Sequence, residues 1–156
     1  MVSAPLPSTR SDSKARLRLW VRLLRATRLV ESETRERFKS QFNVTLPRFD
    51  VMAALYRRPD GMLMSEISRF LLVSNGNVTG IVDRLVQDGF IVRSQRNGDR
   101  RTSFVRLSAK GNAAFVELAT VHERWITELL GGVKARDAEH LSTKLKSFRS
   151  DWEGDT

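Results

Sequence analysis

Apolar side chains recur along this chain at two periods, and the change from one to the other divides it into elements. Over residues 14–42, Leu17, Trp20 and Leu24, together with Leu19 and Leu23, fall at helical spacing, and Leu29, Val30, Phe38 and Phe42 continue the pattern more sparsely. This predicts one long helix, capped by Asp12 or Ser13 and ending at Asn43. Pro47 suits the first turn of a second helix, LPRFDVMAALYRR, with Phe49, Met52, Ala53 and Tyr56 along one face. Pro59-Asp60-Gly61 stops it by turn chemistry. Ser65, followed by Ile67, Phe70 and Leu71, predicts a short helix capped by the serine hydroxyl.

Asn75-Gly76 is itself a hairpin signal, so two readings of VSNGNVTGIVDRLVQDG compete. The residues after it favour a helix over 74–88: Val78, Ile81, Val82 and Leu85 follow i, i+3, i+4, i+7, with Ser74 as N-cap and Gly89 as the stop. In FIVRSQRNGDRRTSFVRL, strand-type residues flank Asn97-Gly98-Asp99 and predict a β-hairpin with a basic tip. Two helices close the chain. The first carries a stripe of Phe115, Leu118, His122, Trp125, Ile126 and Leu129 and ends at Gly131-Gly132. The second, over 134–152, places Leu141, Leu145, Phe148 and Trp152 on one side. The expected fold is mainly α with a small β-hairpin wing, in the order α-α-(short β)-α-α-β-β-α-α. It divides into a flexible tail (1–13), an N-terminal helix (14–46), a central lobe (47–110) and C-terminal helices (111–156).

The chain has 156 residues, of which 40% are hydrophobic, enough to bury a core in one domain. The absence of cysteine excludes disulfides, thiolate metal sites and thiol oxidation sensing. His122 and His140 make no recognised metal pattern, and no cofactor is expected. With no apolar run of spanning length and no secretion signal, no membrane association is expected and a cytoplasmic location follows by default. Neither a nucleophile–base pair nor a phosphate-cradling glycine loop is visible, which argues against an enzyme. The net charge is +9 and unevenly spread. Residues 10–48 hold 11 basic and 4 acidic residues, and 62–110 hold 8 and 4, whereas 111–156 hold 6 and 8. One face turned toward a polyanion and a generally basic protein explain that balance equally well.

A short helix, a tight turn, a second helix and an immediate basic hairpin describe a winged helix-turn-helix. In that arrangement the second helix fills the major groove and the hairpin reaches along the backbone. With Val78 to Leu85 inward, Gly76 and Gly80 lie near the opposite pole, flanked by Asn77, Thr79, Asp83 and Arg84. Two glycines cost a helix roughly 1 kcal/mol each against alanine, and close approach to DNA would offset that. Ser65, Ser74, Asn75, Gly76, Asn77, Thr79, Gly80 and Arg84 are thus candidate DNA-binding residues, and Arg96, Asp99, Arg100 and Arg101 join them from the hairpin tip. An arginine there suits a narrow minor groove, with Asp99 positioned to orient Arg101. A solvated helix face and an ordinary Asn-Gly turn are the plainer readings.

The stretch MSEISRFLLVSNGNVTGIVDRLVQDGFIVRSQRNGDRRTSFVRLSAKG resembles the DNA-binding core of MarR-family regulators, with the family's Asp-x-Arg wing pattern at Asp99-Arg100-Arg101. The resemblance extends over residues 14–152. It implies a homodimer built by the first and last two helices, binding double-stranded DNA at a pseudo-palindromic operator, usually as a repressor released by a small-molecule effector. The apolar sets Leu17, Trp20, Leu24 and Leu145, Phe148, Trp152 support a shared dimer core, although each set could instead fold onto its own chain. The family's ligand cleft would fall near Trp20, Arg48, Phe49, Met52 and His122, residues that also read as ordinary core or helix surface. An aromatic acid or its coenzyme A thioester is the expected effector. Arg16, Arg18, Arg22, Arg25 and Arg28 stand where they could receive its phosphates or form a solvated face. A non-specific architectural DNA-binding protein is the alternative function.

Overall fold

The computed structural model describes residues 10–71, 75–95 and 103–147. Helix α1, Arg10–Phe42, begins before the predicted start, which puts Asp12 in its first turn instead of at its cap. There the carboxylate still complements the positive end of the helix dipole. Asn43 adopts φ 51°, the left-handed conformation that ends helices, as its position predicted. Of the whole helix only Thr34 and Phe38 are buried, so its N-terminal half stands away from the core of its own chain.

Helix α2, Leu46–Tyr56, is capped by Thr45, whose side chain accepts from the Arg48 N–H, and carries Pro47 in its first turn. The single-face prediction for α2 needs correction. Tyr56 is exposed, whereas Leu46, Val51, Ala54 and Leu55 are buried beside Phe49 and Met52. The helix runs through the centre of the molecule, in contact with α1, α4, α5 and β3, so nearly its whole circumference is covered. Gly61, at φ 99°, then lets the chain pass close to the third strand, where a Cβ would lie 2.9 Å from the Val105 carbonyl oxygen.

Strand β1 is Met62–Leu63 and helix α3 is Met64–Leu71. Because α3 starts at Met64, Ser65 is exposed in its first turn and does not cap it. Glu66 does comparable work, accepting the Leu63 N–H at 2.8 Å. Phe70 is 51% exposed, while Ile67 is fully buried. Helix α4, Asn75–Gln87, settles the Asn75-Gly76 ambiguity in favour of a helix. Val78, Val82 and Leu85 are buried, and Gly89 at φ 79° turns the chain out of it.

Strands β2 (Ile91–Gln95) and β3 (Ser103–Leu107) pair antiparallel from Ile91↔Leu107 to Gln95↔Ser103, in a sheet of order β1-β3-β2. Helix α5, Ala109–Leu129, is capped by the Ser108 side chain accepting from Gly111. Its stripe enters an aromatic cluster of Phe38, Phe42, Phe49, Phe115, His122 and Trp125, including a Phe38–Trp125 edge contact at 4.9 Å. Helix α6, Ala135–Lys146, buries no residue, and Leu141 and Leu145 on it are exposed. Phe148 and Trp152, expected to continue its stripe, lie outside the described residues. No described helix is long and apolar enough to cross a membrane.

Candidate nucleic-acid interface

The outer face of α4 is set by its inner one. With Val78 and Val82 fully buried and Leu85 nearly so, the 3.6-residue period turns Gly76, Asn77, Thr79, Gly80 and Arg84 to solvent, and all five are exposed. Apart from the adjacent residues and the helix's own backbone, no heavy atom of the described residues lies within 4 Å of where a Cβ would stand on Gly76 or Gly80. Nothing among the described residues therefore requires either glycine, and the open backbone faces outward. The amides of the first turn and the Asn77 and Thr79 side chains offer donors and acceptors there, and a helix N-terminus attracts phosphate.

Asn75 is the first residue of α4, and Ser65 lies exposed on α3. Ser74, Arg96, Asp99, Arg100 and Arg101 lie outside the described residues. Strands β2 and β3, on either side of residues 96–102, are in place, and an ion pair from Arg93 on β2 to Asp83 on α4 ties this strand pair to the helix. Sequence reasoning did not single out Arg93. Its register on β2, two residues after buried Ile91 and opposite buried Val105, places it on the face turned toward α4, and that is the local sign of this role.

The five candidate ligand residues do not form one open pocket within a chain. Phe49 and Met52 are core residues, 6% and 2% exposed. His122 is half-buried between Phe38, stacked at 5.9 Å, and Phe49 at 4.7 Å, and this desolvation pushes its pKa down, favouring neutral imidazole. Arg48 is ion-paired with Asp88 beyond α4. Trp20 is exposed and stands eighteen residues before Phe38, about 27 Å along α1. A shallow groove of about 330 Å³ runs beside Trp20's turn of the helix, lined by Leu17, Arg18, Val21, Arg22 and Arg25. Among the described residues no group of three or more His, Asp or Glu could hold a metal ion.

One titratable group escaped the sequence reading. Asp50 on α2 is partly buried beneath α1, and its carboxyl is pushed up to about 6, first by desolvation and then by Glu31, against the opposing pull of Arg35.

Comparison with known proteins agrees with this geometry. The MarR family profile matches residues 44–103, which run from the start of α2 to the start of β3. The HTH-type transcriptional regulator YkoM of Bacillus subtilis is 34% identical over 116 residues, covering 74% of this chain and 73% of its own length. The crystal structure of a MarR family transcriptional regulator from Silicibacter pomeroyi superposes with a TM-score of 0.71 at 32% identity, covering 89% of this chain and 95% of that one. A mutant E. coli MarR, crystallised with operator DNA, shares the fold at a TM-score of 0.70 and 22% identity, over 92% of this chain and all of its own. With an exposed glycine-bearing helix beside a two-stranded wing, and with relatives of this identity and coverage, the chain belongs to the MarR family of winged-helix transcriptional regulators.

Proposed function

We propose that this regulator binds a pseudo-palindromic operator as a homodimer, with α4 in the major groove and the 96–102 hairpin tip against the backbone or minor groove. The observation that carries the proposal is the outer face of α4, where Gly76 and Gly80 open the backbone to a close partner and Asn77 and Thr79 flank them. The operator complex of the E. coli relative supports it by analogy of fold. Dimerisation is supported by the apolar residues that α1 and α6 leave uncovered, notably Leu17, Trp20, Leu141 and Leu145.

Repression relieved by an aromatic acid or its coenzyme A thioester belongs to the same proposal. Because Phe49, Met52 and His122 are packed into the core, Trp20 and the arginine-lined groove on α1 offer the more accessible surface. Arg18, Arg22 and Arg25 have no ion-pair partner among the described residues and suit an anionic ligand.

The test is binding to fragments flanking the protein's own gene, with random duplex as competitor at fixed salt. A sequence-specific regulator shows a specificity ratio of about 10³ or more, and Arg101→Ala weakens operator binding while leaving the dimer intact. Equal, salt-sensitive binding to every fragment refutes it and favours an architectural DNA-binding protein.

A further inference from the structure

Two charged residues sit at the unfavourable ends of their helices. Arg48 is in the first turn of α2, where aligned peptide dipoles disfavour a cation, and Asp88 follows the last residue of α4, where they disfavour an anion. Each offsets the other, because an Arg48 Nη ion-pairs with an Asp88 carboxylate oxygen across forty residues of sequence. The Arg48 side chain is only 20% exposed, and its Nε is buried with no hydrogen-bond partner among the described residues. Its charge is thus committed to Asp88 and largely withdrawn from water. A second tie holds the same point, since Lys110 in the first turn of α5 donates from Nζ to the Asp88 main-chain carbonyl at 2.8 Å. Its ammonium also lies 4.8 Å from the Phe90 ring centroid. The C-terminal end of α4 is therefore fastened to α2 and α5, while Gly76, near its N-terminal end, is exposed.

We propose that Arg48 and Asp88 form a positioning latch that fixes the angle of α4 against α2, and so selects the half-site spacing accepted by the dimer. The proposal rests on the dimeric DNA-reading function above. Crossing angles of packed helices scatter by about 15–20° around their preferred classes from one structure to another, so ridge packing by class does not by itself dictate one angle. Gly76 lies twelve residues before Asp88, about 18 Å along the helix. A pivot of roughly 10° at Asp88 would move Gly76 by about 3 Å, close to the ~3.4 Å rise of one base pair. Losing the latch would thus cost the dimer its ability to tell one spacing from the next. It would leave the reading face of α4 unchanged.

The experiment measures affinity for the operator and for versions with one base pair added or removed between half-sites. Wild type is compared with Asp88→Asn, Arg48→Met and the charge reversal Arg48→Asp/Asp88→Arg. Asp88→Asn, which removes the charge at nearly constant shape, carries the test should Arg48→Met fail to fold. Wild type should lose about tenfold or more with altered spacing. Each single variant should shrink that penalty to about threefold or less, and the reversal should restore it, as expected of a coupled charge pair. The chain has no cysteine, so Gly80→Cys carries a single spin label on each protomer. The label-to-label distance in the free dimer should be narrowly distributed in the wild-type background and broad with Asp88→Asn. Variants that keep the full spacing penalty and the narrow distribution, even with weaker operator binding, overturn the latch while the DNA-reading function stands. A wild type with no sequence preference overturns that function and the latch with it.

Discussion

Replacing Gly80 separates what the fold needs from what DNA docking needs. Outside its own helix, an ideal Cβ there meets nothing within 4 Å among the described residues, and the residue lies inside α4 without a positive φ. Gly80→Ala should therefore stabilise the protein by the helix-propensity difference, about 0.8–1 kcal/mol. For a chain of this length that is about 2–4 °C in Tm. Gly80→Leu should also fold, because its added carbons point into open space. Against DNA the sign reverses. A leucine between α4 and the groove holds the helix off by about one van der Waals contact, ~3.5 Å, too far for direct hydrogen bonds of 2.7–3.2 Å. Loss of two base contacts at about 1–3 kcal/mol each lowers operator affinity at least about thirtyfold. Thermal melting and fluorescence anisotropy on the same preparations read both effects. A Gly80→Leu protein that melts normally and binds operator within about threefold of wild type would refute close docking of this face. A Gly80→Ala protein less stable than wild type would refute the open-space reading.

Three further outcomes follow from the packing. At Gly111 a Cβ would stand 2.0 Å from the Phe90 carbonyl oxygen, so Gly111→Ala must part α5 from the residue that leads into β2 and disturb the Ser108 cap. Urea unfolding should show a loss of about 3 kcal/mol or more, and a loss under about 1 kcal/mol would contradict the contact. Asp50 titrates at about 6 in the folded chain against about 3.9 unfolded. The folded state therefore holds a proton that the unfolded state has released, and this contribution to stability is lost as pH rises from about 4 to about 6. Asp50→Asn should gain stability relative to wild type across that window and hold the gain above it, whereas a pH-independent difference would refute the assignment. Leu141→Asp/Leu145→Asp on the uncovered face of α6 should halve the mass seen by sedimentation equilibrium, while a variant still dimeric at micromolar concentration would place the interface elsewhere.

Much of this protein is determined by residues close together in the chain. The order of elements, the helix end at Asn43, the turn at Gly89 and the exposed pole of α4 all follow from local rules. Hydrophobic period sets which face is inward, and left-handed backbone positions select Asn or Gly. The glycines of this exposed face were legible for that reason: once Val78, Val82 and Leu85 point inward, the opposite side is set by geometry alone.

Contacts between distant segments decided the rest. Period alone put Tyr56 in the core and left Val51 and Ala54 out of it, because it cannot tell that α2 is covered from nearly every side. Phe70 and Ile67 are both apolar residues of α3, yet Ile67 is fully buried and Phe70 is half exposed. Ser65 reads as a cap, but a two-residue strand pairing with β3 carries the chain straight into α3. The ligand candidates were chosen by residue type, and only the tertiary structure shows His122 packed between two phenylalanine rings instead of lining an open cleft. Arg48 with Asp88, and the raised carboxyl of Asp50, arise where helices cross. Charge interactions and desolvation depend on separation in space, and chain position carries no record of that until the core has closed.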